Sequence, residues 1–146
     1  MPTNAPAHAI AVRVYYEDTD AGGVVYYANY LKFFERARTE MLRACGIRQD
    51  QWLAESRIGF VVRHLETDYR ASARLDDELT VTATIEKLGA ASVDFTQRAL
   101  RGDTLLATAR VRVACVDFNR HRPTPIPAPI VAALSAFVAT PAPVQP

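Results

Sequence analysis

Hydrophobic and polar residues alternate near the start of the chain, as they do in a strand that buries one of its two faces. The apolar positions of this stretch are Ile10, Val12, Val14 and Tyr16. Successive strand residues point to opposite faces of a sheet, so this alternation predicts a first strand over residues 10–16.

The period of the pattern changes after Gly22 and Gly23, where apolar residues recur every three or four positions. These residues are Tyr30, Phe34, Ala37, Met41 and Cys45. The spacing predicts an amphipathic helix over residues 29–45, with Asn29 as its N-cap and Gly46 as the left-handed residue that ends it. A short second helix is predicted over residues 49–54.

The following residues alternate again and predict an antiparallel sheet. The predicted strands cover residues 60–70, 78–88, 91–100 and 104–117. Turns of two or three residues join the last three strands, and a parallel pair would need a crossover of about a dozen residues. The buried face of strand 78–88 is predicted to carry Leu79, Val81, Ala83 and Ile85.

The chain after residue 117 is rich in proline. Alternating prolines at positions 123, 125, 127 and 129 exclude a central strand, because proline lacks the backbone N–H that a strand donates. A terminal helix is predicted over residues 130–137, with disordered tails at 1–8 and 139–146. We expect one α+β domain over residues 1–146, in which a five-stranded antiparallel sheet wraps around one long helix.

Composition and charge narrow the function classes. The chain has 146 residues, of which 49% are hydrophobic and 23% charged, and a net charge of +1, values that exclude disorder of the whole chain. A pI of 7.8 argues against a nucleic-acid partner.

No apolar run approaches the roughly 20 residues of a membrane span, and no secretory signal pattern is present, so we expect a cytoplasmic protein that does not span a membrane. Cys45 and Cys115 lack the spacing of a disulfide framework or zinc site.

One segment concentrates acids, glycines and tyrosines between the first strand and the helix, and reads YYEDTDAGGVVYYANY over residues 15–30. One interpretation is structural, because the positive end of a helix stabilises a nearby carboxylate without any catalysis. Another is catalytic, because such a carboxylate can attack a carbonyl, or activate water against it, while helix N–H groups polarise the carbonyl oxygen. A thioester suits this arrangement, since its thiolate leaves without a strong acid.

A calcium-binding loop is a third interpretation of the same segment. Asp18 and Asp20 begin such a pattern, but Gly22 stands where a third oxygen ligand is required and Asn29 where a bidentate Glu is required. Two missing ligands argue strongly against calcium.

Several separated blocks of the chain resemble one known family. They cover residues 12–26, 29–30, 35–42, 60–63, 73–77 and 95–98, within a span of about residues 10–135. Over these blocks the sequence resembles the hotdog-fold thioesterases of the 4-hydroxybenzoyl-CoA thioesterase family, especially the YbgC-like, Tol-Pal-associated acyl-CoA thioesterases. The resemblance implies the hotdog fold and the hydrolysis of acyl-CoA thioesters, or of acyl-carrier-protein thioesters, to a free acid and a thiol.

The resemblance also implies roles for three residues. Asp20 would be the catalytic carboxylate, as nucleophile or general base, with Asp18 as its supporting neighbour. The backbone N–H of Tyr27 would stabilise the oxyanion, although the YbgC-like branch has His at this position. The resemblance implies no metal and no cofactor beyond the coenzyme A of the substrate, and it implies a homodimer with active sites at the subunit interface, commonly paired into a homotetramer.

Two other functions stay open on the same fold. A binding or scaffold protein would dock an acyl carrier protein or a cell-envelope partner and hydrolyse little. A hotdog dehydratase would need a His, which residues 15–30 lack. Several cationic side chains could bind the phosphates of coenzyme A, and their spacing in the sequence does not indicate which of them do so: Arg57, Arg63, Arg70, Arg74 and Lys87. Helical spacing predicts ion pairs or interface contacts for Glu35, Arg36, Arg38 and Glu40.

Overall fold

The protein folds around one antiparallel sheet, seen in a computed structural model that describes residues 8–139. The strands are β1 (His8–Arg13), β2 (Ile58–Tyr69), β3 (Glu78–Leu88), β4 (Ser92–Arg101), β5 (Thr104–Asp117) and β6 (Arg122–Pro123). Their order across the sheet is β1-β3-β4-β5-β2, and β6 pairs with β5. Tight turns join β3, β4 and β5, which are antiparallel neighbours as predicted.

Within residues 8–139, three α-helices accompany the sheet: α1 (Asn29–Ala44), α2 (Gln49–Ser56) and α3 (Ala128–Ser135), with a single 3-10 turn over Tyr16–Asp18. The long helix α1 packs against β1, β3 and β4, and it buries the predicted residues Tyr30, Phe34, Ala37 and Met41. Opposite it, the predicted face of β3 is fully buried. One helix packed on one face of an antiparallel sheet confirms the predicted α+β hotdog fold.

The predicted cap of α1 is confirmed at its C-terminus and is wrong at its N-terminus. Gly46 has φ of +89°, in the left-handed region that its prediction as a helix-ending residue requires. The predicted N-cap is wrong, because Ala28 occupies that position and Asn29 is the first helical residue. The side chain of Asn29 has another partner, described below.

The first strand is shorter than predicted and the sheet has an additional strand. β1 ends at Arg13 because the backbone of Val14 bonds to a turn instead, donating to Asp77 O and accepting from Asp76 N–H. The prediction of five strands misses β6, where Arg122 and Pro123 pair with the end of β5. This strand is only two residues long and lies outside the main strand order, in agreement with the limits that proline sets.

The predicted tails are partly corrected. His8 pairs with Ala83 in the sheet, and the N–H of Ala139 donates to Ile85 O at 2.7 Å, so both residues belong to the fold. The remainder of the predicted tails, 1–7 and 140–146, lies outside the described residues. In residues 8–139, no helix is long and apolar enough to cross a membrane.

Strand β2 lies at one end of the sheet. It pairs with β5 along one side, and nothing in the described part of the chain pairs with its other side. Apolar side chains are exposed along this strand, at Val61, Val62, Leu65 and Tyr69. An edge that leaves backbone donors and acceptors unpaired beside apolar side chains favours pairing with another chain.

Candidate active site

A tight hairpin lies between β1 and α1 and presents Asp20. Thr19 pairs with Val25, and the N–H of Asp20 donates to Val24 O at 2.9 Å. The turn closes when the N–H of Gly23 donates to Asp20 O at 3.0 Å, with Gly23 at φ +79°, where glycine is favoured. The sequence folds this way because Gly22 and Gly23 follow Asp20 and Ala21, and Gly23 takes the left-handed conformation that closes the turn.

The carboxylate of Asp20 is exposed and lightly engaged. One oxygen, Oδ1, accepts the N–H of Gly22 at 2.8 Å, while Oδ2 has no partner among residues 8–139. A side chain at position 22 would crowd this arrangement, since a Cβ there would lie 3.3 Å from Oδ1. An exposed carboxylate with one unengaged oxygen can act as a base or a nucleophile.

Asp18 differs from Asp20 because it is buried and both of its oxygens are bonded. Oδ2 accepts the N–H of Tyr15 at 2.8 Å, and Oδ1 accepts the side-chain amide of Asn29 at 2.9 Å. Only 6% of Asp18 is exposed. Its carboxylate therefore joins the hairpin to the first residue of α1.

The backbone around Tyr27 leaves two donors at the N-terminus of α1. The carbonyl of Tyr26 accepts the N–H of Asn29 at 2.8 Å, and the carbonyl of Tyr27 accepts the hydroxyl of Tyr69 at 2.9 Å. Within the described part of the chain, the N–H groups of Tyr27 and Ala28 donate to no acceptor. Unpaired N–H groups at a helix N-terminus attract an oxygen that carries negative charge.

A second loop, residues 70–77, supports the hairpin from the side. The N–H of Val25 donates to Ala73 O at 2.9 Å, and the N–H of Ala73 donates to the hydroxyl of Tyr30 at 3.0 Å. Val24 also pairs with Arg74. These bonds connect the loop to both the hairpin and the first turn of α1.

The loop is itself closed by Asp77. Its carboxylate accepts the N–H of Arg74 at 2.9 Å and the guanidinium of Arg101 at 2.9 Å. Burial alone would raise the pKa of Asp77, but these hydrogen bonds and the charge of Arg101 outweigh it and hold the pKa below its usual value. Asp76 has φ of 70°, in the left-handed region, and forms the turn that leads into β3.

Tyrosine rings cluster beside the two free N–H groups. The ring centres of Tyr26 and Tyr27 are 4.9 Å apart, and Tyr69 meets Tyr27 edge-on at 6.0 Å and Tyr30 at 5.5 Å. Burial raises the pKa of Tyr69, so its hydroxyl remains a proton donor at neutral pH. Tyr69 could not be predicted as part of the site, because no motif or periodicity joins it to Tyr27, 42 residues earlier in the chain.

An apolar groove of about 440 Å³ runs beside α1, toward β2 and β5. Arg38 lies in its wall with only 9% exposure, donating to the side-chain oxygen of Gln97 at 2.9 Å. Gln97 in turn donates to Phe34 O at 2.9 Å. Helical spacing predicts an ion pair or an interface contact for Arg38, and its hydrogen-bond partner is instead a buried glutamine on β4. Burial lowers the pKa of Arg38.

The cations considered for coenzyme A phosphates do not form one group, although Arg70 and Arg74 share the loop 70–77. Arg63 and Lys87 line a groove of about 850 Å³ on the outer side of the sheet, and Arg57 ends α2. Of the five candidates, Arg74 is the one whose backbone pairs with the hairpin, through Val24. Within residues 8–139, no three metal-binding side chains are grouped as a metal site.

Comparisons with known proteins agree on one family. The profile of the thioesterase-like superfamily matches residues 14–134. The acyl-CoA thioesterase YbgC of Haemophilus influenzae is 49% identical over 122 residues, which cover 84% of this chain and 90% of that protein. The acyl-CoA thioester hydrolase YbgC of Escherichia coli O157:H7 is 52% identical over 122 residues, covering 83% and 90%. The crystal structure of a probable thioesterase from Bartonella henselae superposes with a TM-score of 0.75 at 39% identity, covering 85% of this chain and all of that one.

Proposed function

The chain belongs to the thioesterase-like superfamily, and from this premise we propose that it hydrolyses acyl-CoA thioesters to a free carboxylic acid and coenzyme A. Relatives named as acyl-CoA thioester hydrolases, at about half identity over most of the chain, support the reaction. The observation that carries the proposal is the exposed Asp20 carboxylate on a hairpin that leads directly to the unpaired N–H of Tyr27.

The N–H of Tyr27 acts on the carbonyl oxygen of the thioester. As the carbonyl carbon is attacked, negative charge develops on this oxygen, and a fixed backbone donor at a helix N-terminus stabilises it. The donor belongs to the backbone, so the reaction does not require the His that the YbgC-like branch carries here. The phenol of Tyr27 instead shapes the space beside the acyl group.

Asp20 supplies the attack by one of two routes. Its free oxygen either bonds to the carbonyl carbon, expelling the thiolate and forming a mixed anhydride that water then hydrolyses, or it takes a proton from water as that water attacks. Both routes yield the free acid and the thiol. Asp18 supports Asp20 indirectly, by fixing the start of the hairpin to Asn29.

The active form is proposed to be a homodimer in which the edges of two β2 strands pair, with the homotetramer as a further assembly. Three features of β2 support this contact. One side of the strand is unpaired within the described residues, Val61 and Val62 are exposed, and the apolar groove extends to Leu65. Pairing would cover the edge and the apolar side chains together. The interface would then lie close to Tyr69 and to the hairpin beside it.

The thiol carrier is proposed to be coenzyme A, with acyl carrier protein as the alternative carrier. Arg74 is proposed as the cation for a coenzyme A phosphate, and the pairing of its backbone with Val24 of the hairpin supports this choice. We also propose a cytoplasmic location, for which the free thiols of Cys45 and Cys115 are supporting evidence. Association with the Tol-Pal system stays a prediction from the resemblance.

The experiment that tests this function is thiol release, followed with a coloured thiol reagent, on acyl-CoAs from acetyl to palmitoyl and on benzoyl-CoA. Turnover on at least one acyl class is expected, and the class with the highest kcat/KM identifies the substrate. The matching acyl-carrier-protein thioester, tested at equal concentration, decides the carrier. Absence of turnover on every thioester would overturn the hydrolase and favour the binding or scaffold protein.

A further inference from the structure

Tyr69 bridges the edge of the sheet and the start of α1. It is the last residue of β2, opposite Ala107 of β5, and its hydroxyl donates to Tyr27 O at 2.9 Å. Its ring also meets the rings of Tyr27 and Tyr30 edge-on. This contact brings a side chain from the sheet onto the backbone that carries the oxyanion donor.

The bond fixes a peptide plane. In a trans peptide the C=O and the following N–H point in opposite directions, so holding Tyr27 O also sets the direction of the Ala28 N–H. The preceding plane is held separately, because Tyr26 O accepts the N–H of Asn29 at 2.8 Å. Each of the two peptide planes that meet at Tyr27 is therefore fixed by a hydrogen bond to its own carbonyl oxygen.

Little else restrains the second plane. Apart from the Tyr69 hydroxyl, the carbonyl of Tyr27 accepts only the N–H of Tyr30 within the described residues, at a long 3.4 Å. The two N–H groups nearby, of Tyr27 and Ala28, have no acceptors of their own there to hold them. Preorganised donors stabilise an oxyanion because they need not reorient during the reaction.

We propose that Tyr69 is a positioning residue for the thioester hydrolysis: its hydroxyl holds the peptide between Tyr27 and Ala28 and keeps the Ala28 N–H aimed at the substrate oxygen, as a second donor beside the N–H of Tyr27. The inference rests on the proposed function. Tyr69 itself does not touch the reacting atoms. Its contribution belongs to the transition state, so its loss lowers kcat and leaves KM almost unchanged.

The first test is Tyr69→Phe, which removes the hydroxyl and keeps the ring contacts. We expect kcat to fall about tenfold, less than the 10²–10³-fold loss typical when an oxyanion donor itself is removed, with KM changed by less than about twofold. Tyr16→Phe is the matched control, since Tyr16 is 82% exposed and its hydroxyl has no hydrogen bond among residues 8–139, so its kcat should equal that of the wild type. Thermal unfolding of all three proteins verifies the fold.

The second test replaces Tyr69 with a fluorinated tyrosine, whose hydroxyl ionises at lower pH while the ring shape is kept. A phenolate cannot donate to Tyr27 O, so kcat should decline at alkaline pH in this variant and remain level in the wild type. If the wild type is active, either of two results would overturn the positioning role while leaving the proposed function intact. One is the same dependence of kcat on alkaline pH in the fluorinated variant and the wild type, and the other is a wild-type kcat in Tyr69→Phe. A wild type inactive on every thioester would overturn the proposed function and this inference with it.

Discussion

Asn29 donates its side-chain amide to the buried carboxylate of Asp18 at 2.9 Å, across 11 residues of chain. The same carboxylate accepts the N–H of Tyr15 at 2.8 Å. Asp18 therefore bonds to both ends of the loop that holds Asp20 and Tyr27. This relationship explains how a short hairpin keeps an exposed carboxylate and a free N–H in fixed relation to the helix.

Replacing Asp18 tests this connection. Asp18→Asn leaves one acceptor oxygen where two donors converge, so we expect the free energy of unfolding to fall by about 1–3 kcal/mol, with a lower kcat. Urea unfolding measures the change. Asp50→Asn is the control, because Asp50 is exposed on α2 and its ion-pair partner in the described part of the chain is Arg48, at 3.8 Å. The effect of this control on the free energy of unfolding should stay within about 0.5 kcal/mol. Equal unfolding free energies for Asp18→Asn and the wild type would refute the anchoring role.

Replacing Tyr27 separates its backbone from its side chain. Tyr27→Phe and Tyr27→His keep the N–H, so we expect kcat to stay within about threefold while the preferred acyl group shifts. Tyr27→Pro deletes the N–H, which bonds to no acceptor in the described residues, and should cost about 10²–10³-fold in kcat. Steady-state kinetics on folded variants, verified by thermal unfolding, make the comparison. A Tyr27→Pro variant with a normal kcat would exclude the N–H from the reaction.

Acid should weaken the loop that supports the hairpin. The pKa of Asp77 is lowered in the folded protein, so its carboxylate contributes stability that is complete above the ordinary value of 3.8 and is lost as pH falls through the folded pKa. Urea unfolding of the wild type and Asp77→Asn should show a gap that is constant from pH 7 to about pH 5 and narrows below about pH 4. A gap that stays constant down to about pH 2.5 would show that Asp77 is not responsible.

The proposed dimer depends on the free edge of β2. Leu65→Lys places a charge among the exposed apolar residues of that strand, and we expect the molecular mass by sedimentation to change from dimer to monomer. Leu75→Lys is the matched control, since Leu75 is 39% exposed and Leu65 38%, but Leu75 lies in loop 70–77. A monomeric wild type, or a dimeric Leu65→Lys variant, would contradict pairing through this edge.

The sequence predicts the sheet and α1 well because their patterns are regular and local. Strands β3 and β5 have the predicted bounds, and α1 differs by one residue at its end. Their alternation and helical spacing follow from burying one face, so periodicity alone is informative. The predictions are wrong where hydrogen bonds between distant residues determine the local structure. The backbone of Val14 bonds to the turn at Asp76 and Asp77 instead of continuing β1, and the side chain of Asn29 bonds to Asp18 instead of capping α1.

For the same reason, only part of the candidate site lies within reach of sequence reasoning. The resemblance implies roles for Asp20, Asp18 and Tyr27, which belong to one continuous segment, and the fold brings all three together in one hairpin and helix start. Tyr69 lies at the end of β2, 42 residues after Tyr27 in the chain, so no local pattern connects it with that segment. Arg38 and Gln97 pair across 59 residues, and no local pattern distinguishes this buried pair from a surface charge.

Asp20→Asn tests the central claim most directly. The side chain is exposed, and an amide oxygen can keep the one hydrogen bond that it accepts within residues 8–139, from Gly22 N–H, so the variant should fold and assemble as the wild type does. On the acyl-CoA that the wild type hydrolyses best, we expect kcat to fall by about 10²–10⁴-fold, while Asp103→Asn, in the exposed turn between β4 and β5, keeps the wild-type rate. Hydrolysis by Asp20→Asn at a rate close to that of the wild type would contradict the account.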